Sequence, residues 1–398
     1  MVVKRLLILS YYYEPDLSAC SFRTTALVRH LTEKYPELEI DILTTLPSRY
    51  SSYRPTDVSS IEQSNVHVHR IAVPEFNVGL KGELISGLYY YRQVMKFTKG
   101  KHYDLVYGTS SKLATATLAK RIASQTSARV FLDIRDLFVE NIRDMFNPML
   151  SRMLLPTLKL VEKYTFLNVD RVNIVSEGFR QHIERYVDSN KISVFTNGID
   201  CSFIPLDKPQ YHQPKGTTIR LVYAGNIGRA QALEKIIPKL AKRLKNNIEI
   251  TIIGDGRKNA KLISVLQSAK LTNVIVHPPV PRDELLNYYS HADVLFLHLD
   301  SCACLEHVIP SKIFEYAATG LPLLCGVQGY TKQFIEQNVS NAKVFIPNDV
   351  EHCITQLKSL NLKQITRTDF IQQFSRNNIM NGMTKEIGRL LYVAENHE

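Results

Sequence analysis

The chain has 398 residues, 44% hydrophobic and 22% charged, with a formal net charge of +11. That length exceeds one ordinary core and predicts two domains, and the balance is that of a globular rather than a disordered or fibrous chain. The positive charge is spread over both halves with no Lys/Arg-rich tract or stacking module, which excludes a nucleic-acid reader and suits an anionic diphosphate substrate or an anionic membrane surface.

Residues 4–10 form a continuous apolar run after a basic start, which predicts a buried parallel strand. The run is too short for a signal peptide, and no apolar stretch reaches the roughly 18 residues that span a bilayer, so a cytoplasmic chain is expected. Pro15, Asp16 and Ser18 mark a loop, after which Phe22, Ala26, Leu27 and Leu31 recur at helical spacing. "LEIDILTTLP" and "VHVHRIAV" read as strands, and 80–97 as a long, partly amphipathic helix. "YDLVYGTS" is a strand, 112–125 a helix, and "ARVFLDIRDLF" a strand whose C-terminal end carries Asp133, Arg135 and Asp136. A helix follows over 149–168, with Pro156 a place for a kink. "VDRVNIVSEGF" and "ISVFTNGID" close the first half.

"IPLDKPQYHQPKGTT" is rich in Pro, Lys and Gln and is the best linker, with the boundary between about 201 and 216. The alternation then restarts with "IRLVYAG", "IEITIIGDG", "NVIVHPPV" and "ADVLFLHL", each followed by a helical segment. The expected class is α/β, with two Rossmann-like doubly wound parallel-sheet domains over 1–205 and 206–375. A last helix, within 376–398, is expected to return to the first domain.

Several stretches can carry chemistry. "YAGNIGRAQALEKI" is a strand, a Gly-x-x-Gly turn and a helix: Gly225, Asn226 and Gly228 let backbone approach a ligand, and Arg229 stands where a diphosphate would sit. It is not the dinucleotide fingerprint, and a tight structural turn explains it equally well. In "PSKIFEYAATGLPLL", Pro310, Ser311 and Lys312 open a helix and Glu315 lies one turn in. A helix start suits phosphate, and a carboxylate there can accept from two ribose hydroxyls; the plainer reading is a half-buried αβ unit with solvated Lys and Glu. Asp255 in "IIGDG" and His277 to Val280 in "VHPPVP" end two strands, where ligands bind in such sheets, although a turn role suits Asp255 too. Asp133 and Asp136 can orient hydroxyls or take a proton; the alternative is a helix-capping Asp and an Asp–Arg pair. Six cysteines show no disulfide framework, as in a reducing compartment. His298, Cys302, Cys304 and His307 are zinc-ligand types, but their spacing matches no structural zinc pattern.

In order along the chain, from "SYYYEPD" to "FSRNNI", these stretches resemble glycosyltransferase family 4, in the bacterial branch that builds O-antigen and capsule polysaccharide. "NGID" and "PSKIFEY" are the most specific. The resemblance implies a retaining GT-B enzyme of hexosyl- or N-acetylhexosaminyltransferase type, with an acceptor-binding first domain facing a nucleotide-sugar-binding second domain across a cleft. It implies a nucleotide diphosphate donor, best a UDP-sugar, and a glycan or polyprenyl-diphosphate-linked acceptor. On this chain it puts Glu315 on the ribose, the loop before it on the diphosphate, and the base near His277 to Val280. It puts Arg229 on the phosphates with a second cation, Lys312 in preference to Lys235. Ser18, Ser21, Arg23 and Arg135 fall on the acceptor side, with Asp133 and Asp136 as catalytic carboxylates.

The chain departs from the family in two places. The family's Glu-x7-Glu motif has its first position on His307, so that either Glu306 replaces it by a one-residue shift or nothing does. The loop "DLSACSFR" has small residues but none of the family's glycines. These keep a silent nucleotide-sugar-binding protein as a rival. A sugar-nucleotide 2-epimerase of the same architecture is another, but it needs a team of acids and bases that cannot be assembled here. With no Asp-x-Asp, no metal cofactor is expected, and Arg229, Lys312 and helix dipoles would stabilise the leaving nucleotide. A lipid-linked acceptor makes 78–102 a candidate for peripheral contact with the inner face of a membrane. It has Lys81, Arg92, Lys96, Lys99 and Lys101 among apolar residues; the alternative is that its apolar face packs on the first sheet.

Overall fold

The structure, a computed structural model, describes residues 3–47, 64–74, 80–110, 113–140, 148–204 and 218–392. It divides into two compact units, Met1–Asn197 with Ile379–Glu398, and Gly198–Asn378. Most of the stretch read as a linker, 205–217, lies outside the described residues.

The first unit holds β1 (Arg5–Leu9), α1 (Ala19–Lys34), β2 (Glu39–Thr45), β3 (Val66–Ile71), α2 (Leu80–Thr98), β4 (Leu105–Thr109), α3 (Leu113–Thr126), β5 (Arg129–Ile134), α4 (Pro148–Phe166), β6 (Arg171–Ile174), α5 (Arg180–Ile183) and β7 (Ile192–Val194). The strands run parallel in the order β3-β2-β1-β4-β5-β6-β7. Leu6 to Leu9 have no exposed surface, since helices cover a parallel sheet on both faces and its strands are apolar throughout. Ser18 caps α1, accepting from the Ser21 N–H. Leu27 and Leu31 of α1 meet Ile379, Met380, Met383 and Ile387 of the last helix in one core with Leu6 and Ile8. On another side of the unit, α3 packs against both α2 and α4. Tyr90, Val94 and Thr98 of α2 are buried; Arg92, Lys96 and Lys99 are exposed. The Lys101 ammonium sits 3.3 Å over the Phe97 ring. Val78 and the side chains of Leu80, Lys81 and Leu84 lie outside the described residues.

The second unit holds β8 (Ile219–Ala224), α6 (Leu233–Leu244), β9 (Ile248–Ile253), α7 (Asn259–Ser268), β10 (Val274–His277), α8 (Arg282–Ser290), β11 (Val294–His298), α9 (Lys312–Ala318), β12 (Leu323–Gly326), α10 (Gly329–Asn338), β13 (Ala342–Phe345), α11 (Val350–Ser359) and α12 (Thr368–Phe374). Its parallel sheet has the order β10-β9-β8-β11-β12-β13. The chain winds outward from β8 to β10, then resumes at β11 on the other side of β8. The last helix, α13 (Arg376–Tyr392), crosses back into the first unit. Among the described residues, no helix is long and apolar enough to cross a membrane.

One local pair departs from the cysteines' otherwise unpaired state: Cys302 and Cys304 are disulfide-bonded, their Cα atoms 5.4 Å apart. The other four cysteines are free. A Cys-x-Cys loop brings its sulfurs close without a wider framework.

Candidate active site

In the second unit the strand order reverses at β8, and the loops after β8 and β11 flank that switch point, where doubly wound sheets bind ligands. The loop after β8 is braced from three sides. Against β9, the Ile227 N–H donates to the Asp255 carbonyl (2.8 Å) and the Lys258 N–H to the Ile227 carbonyl (2.9 Å). Gly254, at φ 154°, has no room for a side chain, because a Cβ would lie 1.8 Å from the Gly225 carbonyl oxygen. From within the loop, Gln231 Oε1 accepts from Asn226 Nδ2 (2.9 Å) and the Gly228 N–H (3.2 Å). From α9, the buried Tyr316 hydroxyl accepts from the Ala224 N–H (2.8 Å) and donates to the Ala224 carbonyl (3.2 Å). Tyr316 thus fixes the end of β8 to the helix that carries Lys312 and Glu315.

Lys312 lies directly against this loop. A Cβ on Gly225, at φ 144°, would come within 2.0 Å of Lys312 Nζ and 1.9 Å of Cε. The glycine is therefore needed both for its backbone angle and for the close approach of the ammonium. Arg229, in the same loop, is exposed and makes no ion pair among the described residues. Lys235, the other cation weighed for the phosphates, is held 2.6 Å from Asp300. Burial alone would raise the Asp300 carboxyl, but Lys235 and Asn348 hold it below its usual range. Glu315 is half-buried one turn into α9. The start of α9 offers fewer free donors than expected, because the Ile313 and Phe314 N–H groups already bond to the Pro310 and Ser311 carbonyls. Asp255 takes a turn role, accepting from the Gly256 N–H (2.7 Å) and Asn259 Nδ2 (3.3 Å). His277 is half-buried, its carbonyl bonded to the Gly254 N–H (3.0 Å), and Val280 packs on the core.

Two residues near this cluster are engaged elsewhere. Glu306 Oε1 accepts from Gln328 Nε2 (3.1 Å), and its carbonyl accepts from the Tyr330 N–H (2.6 Å), which ties it to the turn before α10. Burial pushes His298 down to about 4, leaving a neutral ring. Its Nδ1–H donates to the Gln231 carbonyl (2.8 Å) and its Nε2 accepts from the Asn348 N–H (3.1 Å). Both nitrogens are thus taken, and the two nearby sulfurs bond to each other. Among the described residues, no group of three or more His, Cys, Asp and Glu could hold a metal ion.

The strand-end cluster of the first unit is built differently. Asp133, at the end of β5, is fully buried. One carboxylate oxygen accepts from Arg23 Nε (2.9 Å) and the Tyr107 hydroxyl (2.9 Å), the other from Arg23 Nη2 (3.1 Å) and Asn173 Nδ2 (2.6 Å). Arg23, equally buried, also donates to the Phe195 and Thr196 carbonyls. Burial alone would raise the Asp133 carboxyl; Arg23 and Arg135 hold it below its usual range. This corrects the reading of Asp133 as a catalytic carboxylate and of Arg23 as an acceptor contact. Both groups are buried, and together they pin β5 to α1 and to the 195–197 loop. Ser21 is buried too. Asp136 is exposed, and Arg135, mostly covered, donates to Asn197 Oδ1 (2.8 Å).

Sequence reading missed the Tyr316 clamp and the Gln231 brace. Tyr316 sits among apolar helix residues and carried no signal of its own; the Gly-Asp-Gly at 254–256 was the one visible hint of close loop packing.

Two doubly wound parallel-sheet domains, the second with a glycine-lined cationic loop at its switch point, are the GT-B architecture. Two family descriptions match nearly the whole chain, "Glycosyl transferase 4-like domain" over residues 23–198 and "Glycosyl transferases group 1" over residues 207–376. The chain belongs to this glycosyltransferase family. It is 22% identical over 377 residues to WcaI of Escherichia coli (strain K12), 89% of this chain and 91% of that protein; the name given to WcaI is that of a colanic acid biosynthesis glycosyl transferase. The fold is similar to Anabaena HepE in complex with UDP and glucose, with TM-score 0.68, 11% identity and 97% and 99% of the two chains covered. It is also similar to WaaG, a glycosyltransferase involved in lipopolysaccharide biosynthesis, with TM-score 0.66, 13% identity and 98% and 100% covered.

Proposed function

We propose that the protein is a retaining glycosyltransferase that moves a sugar from a nucleotide diphosphate donor, best a UDP-sugar, to a glycan or polyprenyl-diphosphate-linked acceptor in surface polysaccharide biosynthesis. The observation that carries the donor half is the Lys312 ammonium seated against Gly225, with Arg229 exposed in the same loop. The name of WcaI and the UDP held by HepE support the polysaccharide context and the choice of nucleotide.

Breaking the anomeric C–O bond leaves an oxocarbenium-like carbon and a diphosphate gaining negative charge. Lys312 and Arg229 would receive that charge on the leaving group, each contributing about 3 kcal/mol if it acts like a single oxyanion-hole donor. Cationic side chains in this role make a divalent ion unnecessary. Glu315 would accept from the ribose hydroxyls. With Asp133 consumed internally, the exposed Asp136 is the carboxylate left for the acceptor side.

The test is UDP binding to the whole chain in EDTA, read as a rise in melting temperature. UDP at a hundred times its dissociation constant should stabilise the wild type by about 2.7 kcal/mol, and Glu315→Ala should lose most of that gain. An unchanged gain in Glu315→Ala rejects the ribose role. A gain that needs added Mn²⁺ rejects the metal-free reading. Slow hydrolysis of the UDP-sugar without acceptor separates a transferase from a silent binder.

A further inference from the structure

Helix α4 has an outer face that the described residues of its own unit leave uncovered. Met149 is 78% exposed, Met153 69%, Leu160 68%, Leu167 just beyond the helix 49% and Tyr164 43%. At 3.6 residues per turn these five fall within an arc of about 60° and run about 27 Å along the axis. Arg152, Lys159 and Lys163 line one flank of that stripe, are exposed, and make no ion pair among the described residues. The helix has one acid, Glu162, and it is buried on the opposite side, its Oε2 accepting from the Tyr186 hydroxyl (3.0 Å) and its Oε1 3.1 Å from His182 Nε2. Ser151, Thr165 and Phe166 are buried with it.

We propose that this face docks on an anionic lipid surface, with α4 lying in the plane of the headgroups. An apolar stripe with a cationic flank is the pattern of a helix that rests in a membrane interface, with Tyr at the boundary between apolar and wet. The charge argues for lipid over a second copy of the chain, because a self-paired face would supply no carboxylate to meet the three cations. Helix α2 carries a similar face: α3 packs against both it and α4, and α2 exposes Ile85, Leu88 and Tyr89 together with Arg92 and Lys96. The surface reading of residues 78–102 thereby becomes secondary to α4. The inference gives a lipid-linked acceptor a place to be met, but it stands without the donor reading, since UDP binding needs no lipid.

The test is co-sedimentation of the full chain with vesicles of phosphatidylglycerol and phosphatidylcholine, against vesicles of phosphatidylcholine alone. The wild type should pellet with the anionic vesicles and be released by salt. Lys159→Gln with Lys163→Gln should weaken that binding about 25-fold, about fivefold for each cation lost. Met153→Glu with Leu160→Glu should abolish it, while the UDP-induced rise in melting temperature persists as the check that the chain is folded. Equal pelleting on both lipids, or unchanged pelleting of both variants, overturns the proposal. So does a lipid-free dimer that Met153→Glu with Leu160→Glu dissolves.

Discussion

The two strand-end clusters differ in where their charges go. At the end of β5, Arg23 and Asp133 are sealed within the first unit and every polar atom of the carboxylate is matched. After β8, Arg229 is exposed and the Lys312 ammonium lies against bare backbone at Gly225. The first cluster spends its charges on holding strands, helix and loop together; in the second, Arg229 makes no ion pair among the described residues. An Asp at a strand end is therefore weak grounds for catalysis until its exposure is known.

The largest expected effect comes from breaking the sealed pair. Arg23→Met leaves Asp133 buried without its hydrogen-bonded countercharge, with Arg135 4.0 Å away, and should cost about 3–5 kcal/mol of stability, read by urea unfolding. Asp133→Asn should be destabilising as well. Normal stability in Asp133→Asn, with turnover lost, would restore it as a catalytic residue and erase the contrast.

The next effect belongs to the open cluster. Lys312→Ala should leave stability nearly unchanged and lower kcat/KM by about 10²–10³-fold, the loss typical of one charge-stabilising donor. If stability falls and the rate does not, Lys312 is a packing residue and the two clusters are alike.

The smallest effect sharpens the contrast within the first unit. His182 lies 2.7 Å from Glu140 and 3.1 Å from Glu162. Burial alone would lower the imidazole, but its bonds to Glu140 and Glu162 outweigh that and raise it to about 9. A folded value above the unfolded 6.5 means the contribution is complete below about pH 6.5 and is lost as pH rises through 9. Melting temperature should therefore fall between pH 7 and 10, with a shallower fall in His182→Gln. Equal slopes would show that His182 is not protonated in the fold.

The family and fold class were legible in the residues alone. Parallel strands covered on both faces must be apolar throughout, and runs such as "LLIL" and "VLFL" separated by helical periods permit little besides a doubly wound sheet. "PSKIFEY" and "NGID" placed the family. The stripe on α4 was hidden, because an apolar helix residue looks the same whether it meets a sheet or open solvent.

What the tertiary structure decided was direction and partnership. Residues 110 apart, Arg23 and Asp133, consume each other, and Tyr316 reaches back 92 residues to hold Ala224. No local pattern encodes such pairs, because side-chain spacing along a strand or helix specifies a face and not what stands opposite it. Glu306 matched a shifted motif, yet its carboxylate turns to Gln328 because the chain doubles back at Gly329, where any Cβ would strike the Glu306 carbonyl. The sequence determined which residues lie at strand ends; burial in the folded chain decided which of them remain exposed.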